Sequence, residues 1–238
     1  MKVIALILGS ILLAACSSSN GPTTINNGGP KYHDSLVSIY GFNSNFADSS
    51  GSGDTGTSVG CDFVGDRFGN PSSAIEFNGT NLISIPNSPE LNFAANTDFT
   101  FCFWLKCYGQ TQAYVGQVIS KMDTTAIGQG YRFDVTTFAG KAWLISDQGS
   151  EDIAFDSVLD GRWHFVTMVG SASTGVFSGW LDDKEVEQSP SSVTKGSSSN
   201  NFPLLLGRGF SGALDDIRIY RRAIATREID SLYHQNGW

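Results

Sequence analysis

The stretch "DFTFCFWLKC", residues 98–107, decides the fold class. Its phenylalanines recur at every second residue, so they lie on one face of an extended strand, while Cys102 and Trp104 point to the other face. A period of two is typical of a β-strand and not of a helix. This stretch therefore predicts a β-strand with large side chains on both faces.

Further short runs of the same kind follow one another along the chain at intervals of roughly ten residues. About a dozen predicted strands without a long helix between them favour an all-β fold, a two-sheet antiparallel β-sandwich of the jelly-roll type. Only "AIATREIDSLYHQ", near the end, has helical spacing and predicts a short C-terminal helix. The runs are "LVSIYGF", "SAIEFNG", "NLISIP", "QVISKMD", "GYRFDVTTF", "KAWLIS", "DIAFDSV", "RWHFVTMVG", "FSGWLDDKEV", "PLLLGRG" and "ALDDIRIY".

Length and charge narrow the class of protein. The chain has 238 residues, enough for one domain with a tail and a packed core. Its formal net charge is −8, with only 15 Lys and Arg residues, which argues against nucleic acid binding because a phosphate-binding face needs clustered positive charge. This acidic balance suits divalent cations or neutral ligands.

The first residues predict a targeting segment that does not belong to the fold. Lys2 precedes the apolar run "VIALILGSILLAAC", which is too short to span a bilayer comfortably. The tetrapeptide "LAAC" ending at Cys16 resembles the lipobox of bacterial lipoproteins. That resemblance implies a signal peptide at residues 1–15, cleavage before Cys16 and lipid attachment to it. An ordinary signal peptide with an incidental cysteine is the alternative.

The segment after Cys16 is predicted to be a flexible tether, residues 16–31, because Ile25 is its only large apolar residue. The folded domain is then predicted at residues 32–238. Ser17 resembles the sorting pattern of outer-membrane lipoproteins, which implies a lipid-anchored protein of the cell envelope at the outer membrane, facing either the periplasm or the surface.

Three cysteines remain in the predicted domain, and export would place them in an oxidising compartment. An odd number allows at most one intramolecular bridge. Cys102 and Cys107 are an odd number of positions apart in one strand, so they face opposite ways and are not expected to pair. A bridge from Cys61 to Cys107, or to Cys102, is predicted, with buried reduced thiols as the alternative.

Five segments in a fixed order carry a family resemblance. They resemble the laminin-G-like, concanavalin A-like jelly-roll domains of bacterial surface proteins, over nearly the whole predicted domain. The resemblance implies a sandwich of two antiparallel sheets, in agreement with the strand pattern. The segments are "LVSIYGFNSNFADSSGSGDTG", "DRFGNPSSAIEFNGTNLISIPNSPELNF", "DFTFCFWLK", "DGRWHFVTMVG" and "FSGALDDIRIYRRAIATREI".

The same resemblance implies a structural calcium site, because some members of this family hold Ca²⁺ between an early acidic loop and the last strand. In this sequence the ligands would be the carboxylate of Asp48, carbonyls near Gly51 and Gly53, and the carboxylate of Asp215. A Gly-rich acidic loop suits calcium because its carbonyl oxygens can turn inward. The alternative is that Asp215 accepts backbone N–H groups and binds no ion.

Alternation along "ALDDIRIY" separates the two adjacent carboxylates. Asp215 shares parity with Ile217 and is predicted to point inward, whereas Asp216 shares parity with Arg218 and is predicted to face solvent. Because adjacent side chains on a strand face opposite ways, the two carboxylates are a poor pair for glycoside hydrolysis. No catalytic residue is predicted.

Ligand recognition on such sandwiches uses exposed aromatic rings beside polar groups. Tyr114 and Phe210 lie in predicted loops and are the preferred ligand-binding residues, while Tyr108, Tyr131 and Trp143 are further candidates that core packing would explain equally.

The function predicted from the sequence is non-catalytic recognition of a glycan or of an extracellular or envelope protein by a membrane-anchored domain, with structural calcium. A scaffold or accessory module of an envelope complex is the first alternative. A divergent carbohydrate-active enzyme is the second.

Overall fold

The computed structural model describes residues 35–108, 116–122 and 128–238. Within these residues the chain forms two antiparallel β-sheets and one short C-terminal α-helix, α1 (Thr226–Tyr233). The predicted all-β sandwich with a terminal helix is confirmed.

The strands follow one another along the chain with only two short 3₁₀ helices between them, Pro89–Leu91 and Ser192–Lys195. In chain order the strands are β1 (Leu36–Tyr40), β2 (Thr57–Val59), β3 (Asp62–Val64), β4 (Ala74–Asn78), β5 (Leu82–Ile85), β6 (Phe99–Cys107), β7 (Gly116–Lys121), β8 (Gly130–Val135), β9 (Gly140–Ser146), β10 (Gly149–Phe155), β11 (Trp163–Ser171), β12 (Val176–Leu181), β13 (Lys184–Pro190), β14 (Leu204–Arg208) and β15 (Ser211–Tyr220).

The strands divide into two sheets of similar size. Sheet A has eight strands in the order β13-β12-β11-β6-β15-β4-β3, with β1 also paired to β15. Sheet B has seven strands in the order β10-β9-β8-β7-β14-β5-β2. Neighbours in space are often distant in sequence, which is the connectivity of a jelly roll.

Strand β6 lies between β11 and β15 in sheet A, and both of its faces are buried. Phe101 and Phe103 join the core between the two sheets, whereas Cys102 and Trp104 join a second apolar cluster on the outer face of sheet A. That second cluster includes Ile229 of α1, so the helix covers the outer face of sheet A. The alternation predicted from the sequence is confirmed.

The core between the sheets is built largely from aromatic rings. The rings of Phe101 and Tyr131 have centroids 4.5 Å apart, and those of Phe103 and Phe133 lie 5.3 Å apart in an edge-to-face arrangement. Each such side chain contributes roughly 1.5–3 kcal/mol by leaving water. Tyr131 also donates a hydrogen bond to the Leu91 carbonyl at 3.1 Å, so this tyrosine is a core residue.

A β-bulge interrupts β15 where the two adjacent aspartates stand. Asp215 pairs with Trp104 of β6, but the next paired residue is Arg218, opposite Cys102. Three steps on β15 therefore match two steps on β6, which leaves one extra residue in the strand. Asp216 carries this irregularity, with a positive φ of 47°.

The bulge reverses the parity of β15. Leu214 before the bulge and Ile217 after it both join the core between the sheets. Asp215 lies opposite Trp104 and therefore points to the outer face of sheet A. The prediction that Asp215 shares a face with Ile217 is wrong, although Asp215 is buried as expected.

The structure contains no bridge between Cys61 and Cys107, which corrects the predicted disulfide. The neighbouring residues Asp62 and Lys106 belong to one row across sheet A, with β4 and β15 between them. Three strand spacings amount to about 14 Å, about twice the Cα separation of roughly 7 Å that a disulfide tolerates. Cys102 faces the outer cluster, where burial raises its pKa to about 12.

Candidate functional site

The acidic loop after β1 holds the first predicted calcium ligand. The Asp48 carboxylate accepts hydrogen bonds from the backbone N–H groups of Ile39 at 2.9 Å and Ser50 at 2.8 Å, and from the hydroxyls of Ser50 and Ser52. Gly51 and Gly53 adopt positive φ values of 99° and 84° as the chain turns around this carboxylate. Four donors from the chain itself therefore satisfy Asp48.

A buried arginine meets the other predicted calcium ligand. Arg67 donates from Nη1 to Asp215 Oδ2 at 2.8 Å and from Nη2 to Asp216 Oδ2 at 2.9 Å. Its guanidinium also stacks on the ring of Trp104, 4.4 Å from the centroid. The side chains of Arg67 and Asp215 are only 2% and 4% exposed, so this ion pair is shielded from water.

The ion pair with Arg67 stabilises the ionised form of the buried Asp215 carboxyl. Burial, and next the charge of Asp216, raise the pKa of Asp215, while the guanidinium of Arg67 opposes that rise. The second oxygen of Asp215 accepts the Asp216 N–H at 2.7 Å. An unpaired carboxylate at this depth would cost several kcal/mol, so Arg67 supplies the positive charge that the site requires.

These contacts do not fit a calcium ion shared by Asp48 and Asp215, because each carboxylate already has its own donors. Among the residues that the structure describes, no group of three or more His, Cys, Asp or Glu side chains is placed to hold a metal ion. Calcium remains a prediction from the family resemblance.

The two preferred ligand-binding aromatics do not form a site. Phe210 is fully buried, because the turn from Gly207 to Phe210 folds its ring back against Phe77, with ring centroids 5.9 Å apart. The predicted exposure of Phe210 is therefore wrong. Tyr114 and Cys16 lie outside the described residues.

A different set of side chains converges on the outer face of sheet B. The strand register places two rows of residues side by side across β7, β8 and β9. We call these six residues the polar face: Ser120, Arg132 and Trp143 in the first row, and Gln117, Asp134 and Lys141 in the second.

An aromatic ring stands in the polar face between two cations. Trp143 is half-buried, and its ring lies 5.1 Å from the Arg132 guanidinium carbon and 5.0 Å from the Lys141 ammonium. Both cations also pair with carboxylates, Arg132 with Asp134 at 2.7 Å and Lys141 with Asp152 at 2.6 Å. The indole is therefore held in position by its neighbours.

Three oxygen atoms of the polar face are buried without a hydrogen-bond partner in the described part of the chain. They are Gln117 Oε1, Ser120 Oγ and Asp134 Oδ1. Each unsatisfied buried group costs about 1–3 kcal/mol, and native proteins leave few of them. All three can accept a hydrogen bond, and the Ser120 hydroxyl can also donate one. Arg132 Nε likewise makes no well-directed hydrogen bond, but it lies 2.7 Å from Asp134 Oδ2, so the acceptors Gln117 Oε1 and Asp134 Oδ1 remain in excess.

The Asp134 carboxyl is the most perturbed group of this face. Burial raises its pKa to about 6, against the lowering effects of the Arg132 charge and of a hydrogen bond from Trp143. Perturbed carboxyl groups beside an aromatic platform are typical of functional sites.

Sequence reasoning named only Trp143 among these six residues. The signal for the others lay in "GYRFDVTTF", where Arg132 and Asp134 alternate with apolar residues and so must share one face of a strand. Gln117 and Ser120 carry no such signal, because their meeting with β8 depends on sheet register.

Comparison with known proteins identifies the family to which the fold corresponds. A laminin G family model described as the concanavalin A-like lectin/glucanases superfamily matches residues 77–230. No curated protein matches the sequence. In the described part of the chain, none of the helices has the length and apolar character needed to cross a membrane.

Solved structures with the same architecture include bacterial toxin binding domains. The binding domain of Paraclostridial Mosquitocidal Protein 1 is 19% identical with a TM-score of 0.71, and the match covers 86% of this chain and 53% of that one. The binding domain of botulinum neurotoxin DC in complex with rat synaptotagmin II is 14% identical with a TM-score of 0.68, covering 85% and 52%. The same toxin domain in complex with SialylT is 13% identical with a TM-score of 0.68, covering 85% and 52%.

The present chain spans about half the length of these toxin domains. At such low identities the likeness concerns the fold alone.

Proposed function

Because this chain belongs to the concanavalin A-like lectin/glucanases superfamily, as the match over residues 77–230 shows, we propose that it is a non-catalytic binding protein that recognises a glycan through the polar face. The observation that carries the proposal is the excess of buried, unpartnered acceptors beside the fixed ring of Trp143.

The chemistry of a sugar complements this face. A pyranose ring has an apolar side that packs on an indole, and hydroxyl groups that donate hydrogen bonds. Gln117, Ser120 and Asp134 offer acceptors for those hydroxyls, and Trp143 offers the platform. A ligand with few donors, such as an apolar protein surface, would leave the acceptors unsatisfied.

The comparisons support a binding role of this general kind. One of the similar toxin domains is described in two complexes, with rat synaptotagmin II and with SialylT. A glycan or a protein partner is thus in keeping with the fold, and the acceptors of the polar face favour the glycan.

The carboxylates of sheet B support a role without catalysis. Glycoside hydrolysis needs two carboxyl groups that flank one bond, one of them free to act as nucleophile or base. Asp134 is paired with Arg132, and Asp152 is paired with Lys141. Neither carboxylate is held ready for attack or for activation of water.

A glycan array probed with the purified full chain tests the proposal. We expect binding to a defined set of glycans, and we expect Trp143→Ala to weaken it roughly ten-fold or more because the stacking platform is lost. Phe68→Ala, which removes an aromatic ring that is 40% exposed on the sheet A side, is the control and should bind as the native chain does. Binding to no glycan, or equal binding by Trp143→Ala, would contradict the proposal.

We further propose that the protein is anchored to the cell envelope, at the outer membrane, by lipid on Cys16. The support is the "LAAC" tetrapeptide ending at that cysteine and the polar segment that follows it. Several acyl chains on one terminus would give stable anchoring, since each buried methylene contributes about 0.8 kcal/mol.

Metabolic labelling with a fatty acid tests the anchor. Label should enter the native chain and the control Ser17→Ala, and should be absent from Cys16→Ser, which should also leave the membrane fraction. Label retained by Cys16→Ser would show that the lipid is attached elsewhere, and absence of label from the native chain would show that there is no lipid anchor.

A further inference from the structure

A cleft of about 520 Å³ opens beside α1, against strands β6 and β11 of sheet A. It is separate from the polar face, which belongs to sheet B. The lining residues that matter for its chemistry are Lys106, Trp163, His164, Asp182, Tyr233 and Trp238.

Three aromatic side chains form the apolar part of this cleft, and the structure holds them in place. Tyr233 stacks on Trp104 with ring centroids 5.7 Å apart, and Trp238 meets the same ring edge-on at 4.9 Å. Trp163 packs against the same outer cluster and pairs directly with Lys106 across β6 and β11. Trp238 keeps 37% of its surface exposed, so an aromatic surface remains available to a ligand.

Most charges around the cleft are neutralised by one another. The His164 ring nitrogens lie 3.1 Å from the Asp182 carboxylate and 3.0 Å from the Asp160 carboxylate. Arg162 pairs with Asp160 as well, at 2.7 Å. When His164 is protonated, its charge and that of Arg162 balance the two carboxylates.

Lys106 is the exception. Its ammonium has no carboxylate partner within the described parts of the chain, and it lies over the ring of Tyr108, 5.7 Å from the centroid. The cleft therefore combines aromatic walls with one ammonium group that makes no ion pair with any described residue. A ligand that fits must have an apolar face and a negative charge.

We propose that this cleft binds a pyranose that carries a carboxylate, a uronic acid, with the carboxylate on Lys106 and the ring against the aromatic walls. The cleft and the polar face lie on different sheets, so the two proposals can be tested and refuted independently of each other. Its selectivity comes from Lys106, because a neutral sugar gains only the aromatic contacts.

Titration calorimetry of the full chain with D-glucuronate and with D-glucose tests this site. We expect native protein to bind glucuronate more tightly than glucose by roughly ten-fold or more, the factor that one charge-assisted contact provides. Lys106→Gln should lose that preference and bind both sugars with equal weakness. Circular dichroism of each variant establishes that it is folded.

Two control variants test whether the preference for glucuronate arises in this cleft. Lys195→Gln removes an exposed lysine at the opposite end of the β11–β12 hairpin, beside Gly175, and should bind glucuronate as the native chain does. Trp143→Ala, on the other sheet, should leave glucuronate binding unchanged. The inference fails if glucuronate and glucose bind alike, if neither binds, if Lys106→Gln keeps the preference, or if Trp143→Ala abolishes glucuronate binding.

Discussion

The outer faces of the two sheets differ in how they bury their charged and polar groups. On sheet A, helix α1 covers an aromatic cluster, and the buried Arg67 meets the carboxylates of Asp215 and Asp216. On sheet B, the polar face keeps acceptors of Gln117 and Asp134 without partners in the described residues. Sheet A pairs its buried charges beneath α1, although Arg67 Nε, Trp104 Nε1 and Tyr220 OH have no hydrogen-bond partner in the described residues. The polar face leaves acceptor atoms without partners beside the half-buried indole of Trp143.

This difference separates stability from recognition. A satisfied buried ion pair is costly to break, because removing one partner leaves the other charge buried. Unsatisfied acceptors beside an accessible ring cost stability in the absence of a ligand, and a ligand that donates hydrogen bonds to them would recover that cost. We therefore expect changes on sheet A to unfold the domain and changes on the polar face to alter binding.

The largest expected effect is on the sheet A side. Arg67→Ala should lower the free energy of unfolding by about 3–5 kcal/mol, because it leaves Asp215 buried without a counter-ion. Urea unfolding followed by circular dichroism measures this. Arg162→Ala is the matched control, since its side chain is 81% exposed, and should cost no more than about 1 kcal/mol. Equal losses in the two variants would contradict the role given to Arg67.

The next effect tests the polar face. The pKa of Asp134 is raised to about 6 from its usual 3.8, so between these values the folded chain binds more protons than the unfolded chain. Stability should therefore fall as the pH rises from about 4 to above 6, by up to about 3 kcal/mol. Asp134→Asn should remove the part of that dependence that this carboxyl contributes, raise stability at neutral pH and weaken glycan binding.

Asp152→Asn is the control for Asp134→Asn. Its ion pair with Lys141 is more than one-third exposed on both sides, so the free energy of unfolding should change by no more than about 1 kcal/mol. If Asp134→Asn destabilises the domain at neutral pH, the Asp134 carboxylate stabilises the fold through its ion pair with Arg132. The polar face would then contribute to stability as sheet A does, which would contradict the difference described above.

These faces also show how far the sequence can predict the structure. The alternation of "DFTFCFWLKC" predicts both environments of β6, because periodicity is a local property. The orientation of Asp215 is missed because one bulge residue, Asp216, shifts the parity of the strand. Its partner Arg67 is missed because 148 residues separate the two along the chain.

The same reasoning explains the errors about ligand residues. The sequence around Phe210 predicts a loop and therefore an exposed ring. The close turn from Gly207 to Phe210, which the sequence pattern does not reveal, directs that ring against Phe77. The polar face depends on which strands neighbour β8, which periodicity does not specify. Local patterns thus predict elements and faces, while a site assembled from several strands requires the register.

A smaller effect concerns His164 on sheet A. Its hydrogen bond to Asp182, and next that to Asp160, raise its pKa against the effect of burial. The resulting stabilisation is fully present below the unfolded pKa of about 6.5 and is lost as the pH rises through the folded pKa. Because both carboxylates are partly solvated, the loss should not exceed about 1 kcal/mol.

His164→Gln should flatten the stability profile above pH 6, measured by thermal unfolding at a series of pH values. His234→Gln, at an exposed position after α1, should leave the native profile unchanged. A profile of His164→Gln that keeps the native slope above pH 6 would show that His164 does not carry this stabilisation.

The smallest expected effect is that of calcium. Since Arg67 pairs with Asp215 and four chain donors satisfy Asp48, thermal unfolding in excess calcium and in chelator should give equal midpoints. A ligand that binds only the native state must raise its stability. A higher midpoint in calcium would therefore reveal a metal site that these contacts do not provide.

The most direct test of glycan recognition is a titration that reports on individual indole groups. The chain has five tryptophans, so ¹⁵N-labelled protein should show five indole N–H resonances. On addition of a glycan that was identified on the array and carries no carboxylate, we predict that the Trp143 resonance shifts with ligand concentration while those of Trp163 and Trp238 stay in place. A saturable shift of Trp163 or Trp238 with Trp143 unchanged would contradict recognition by the polar face.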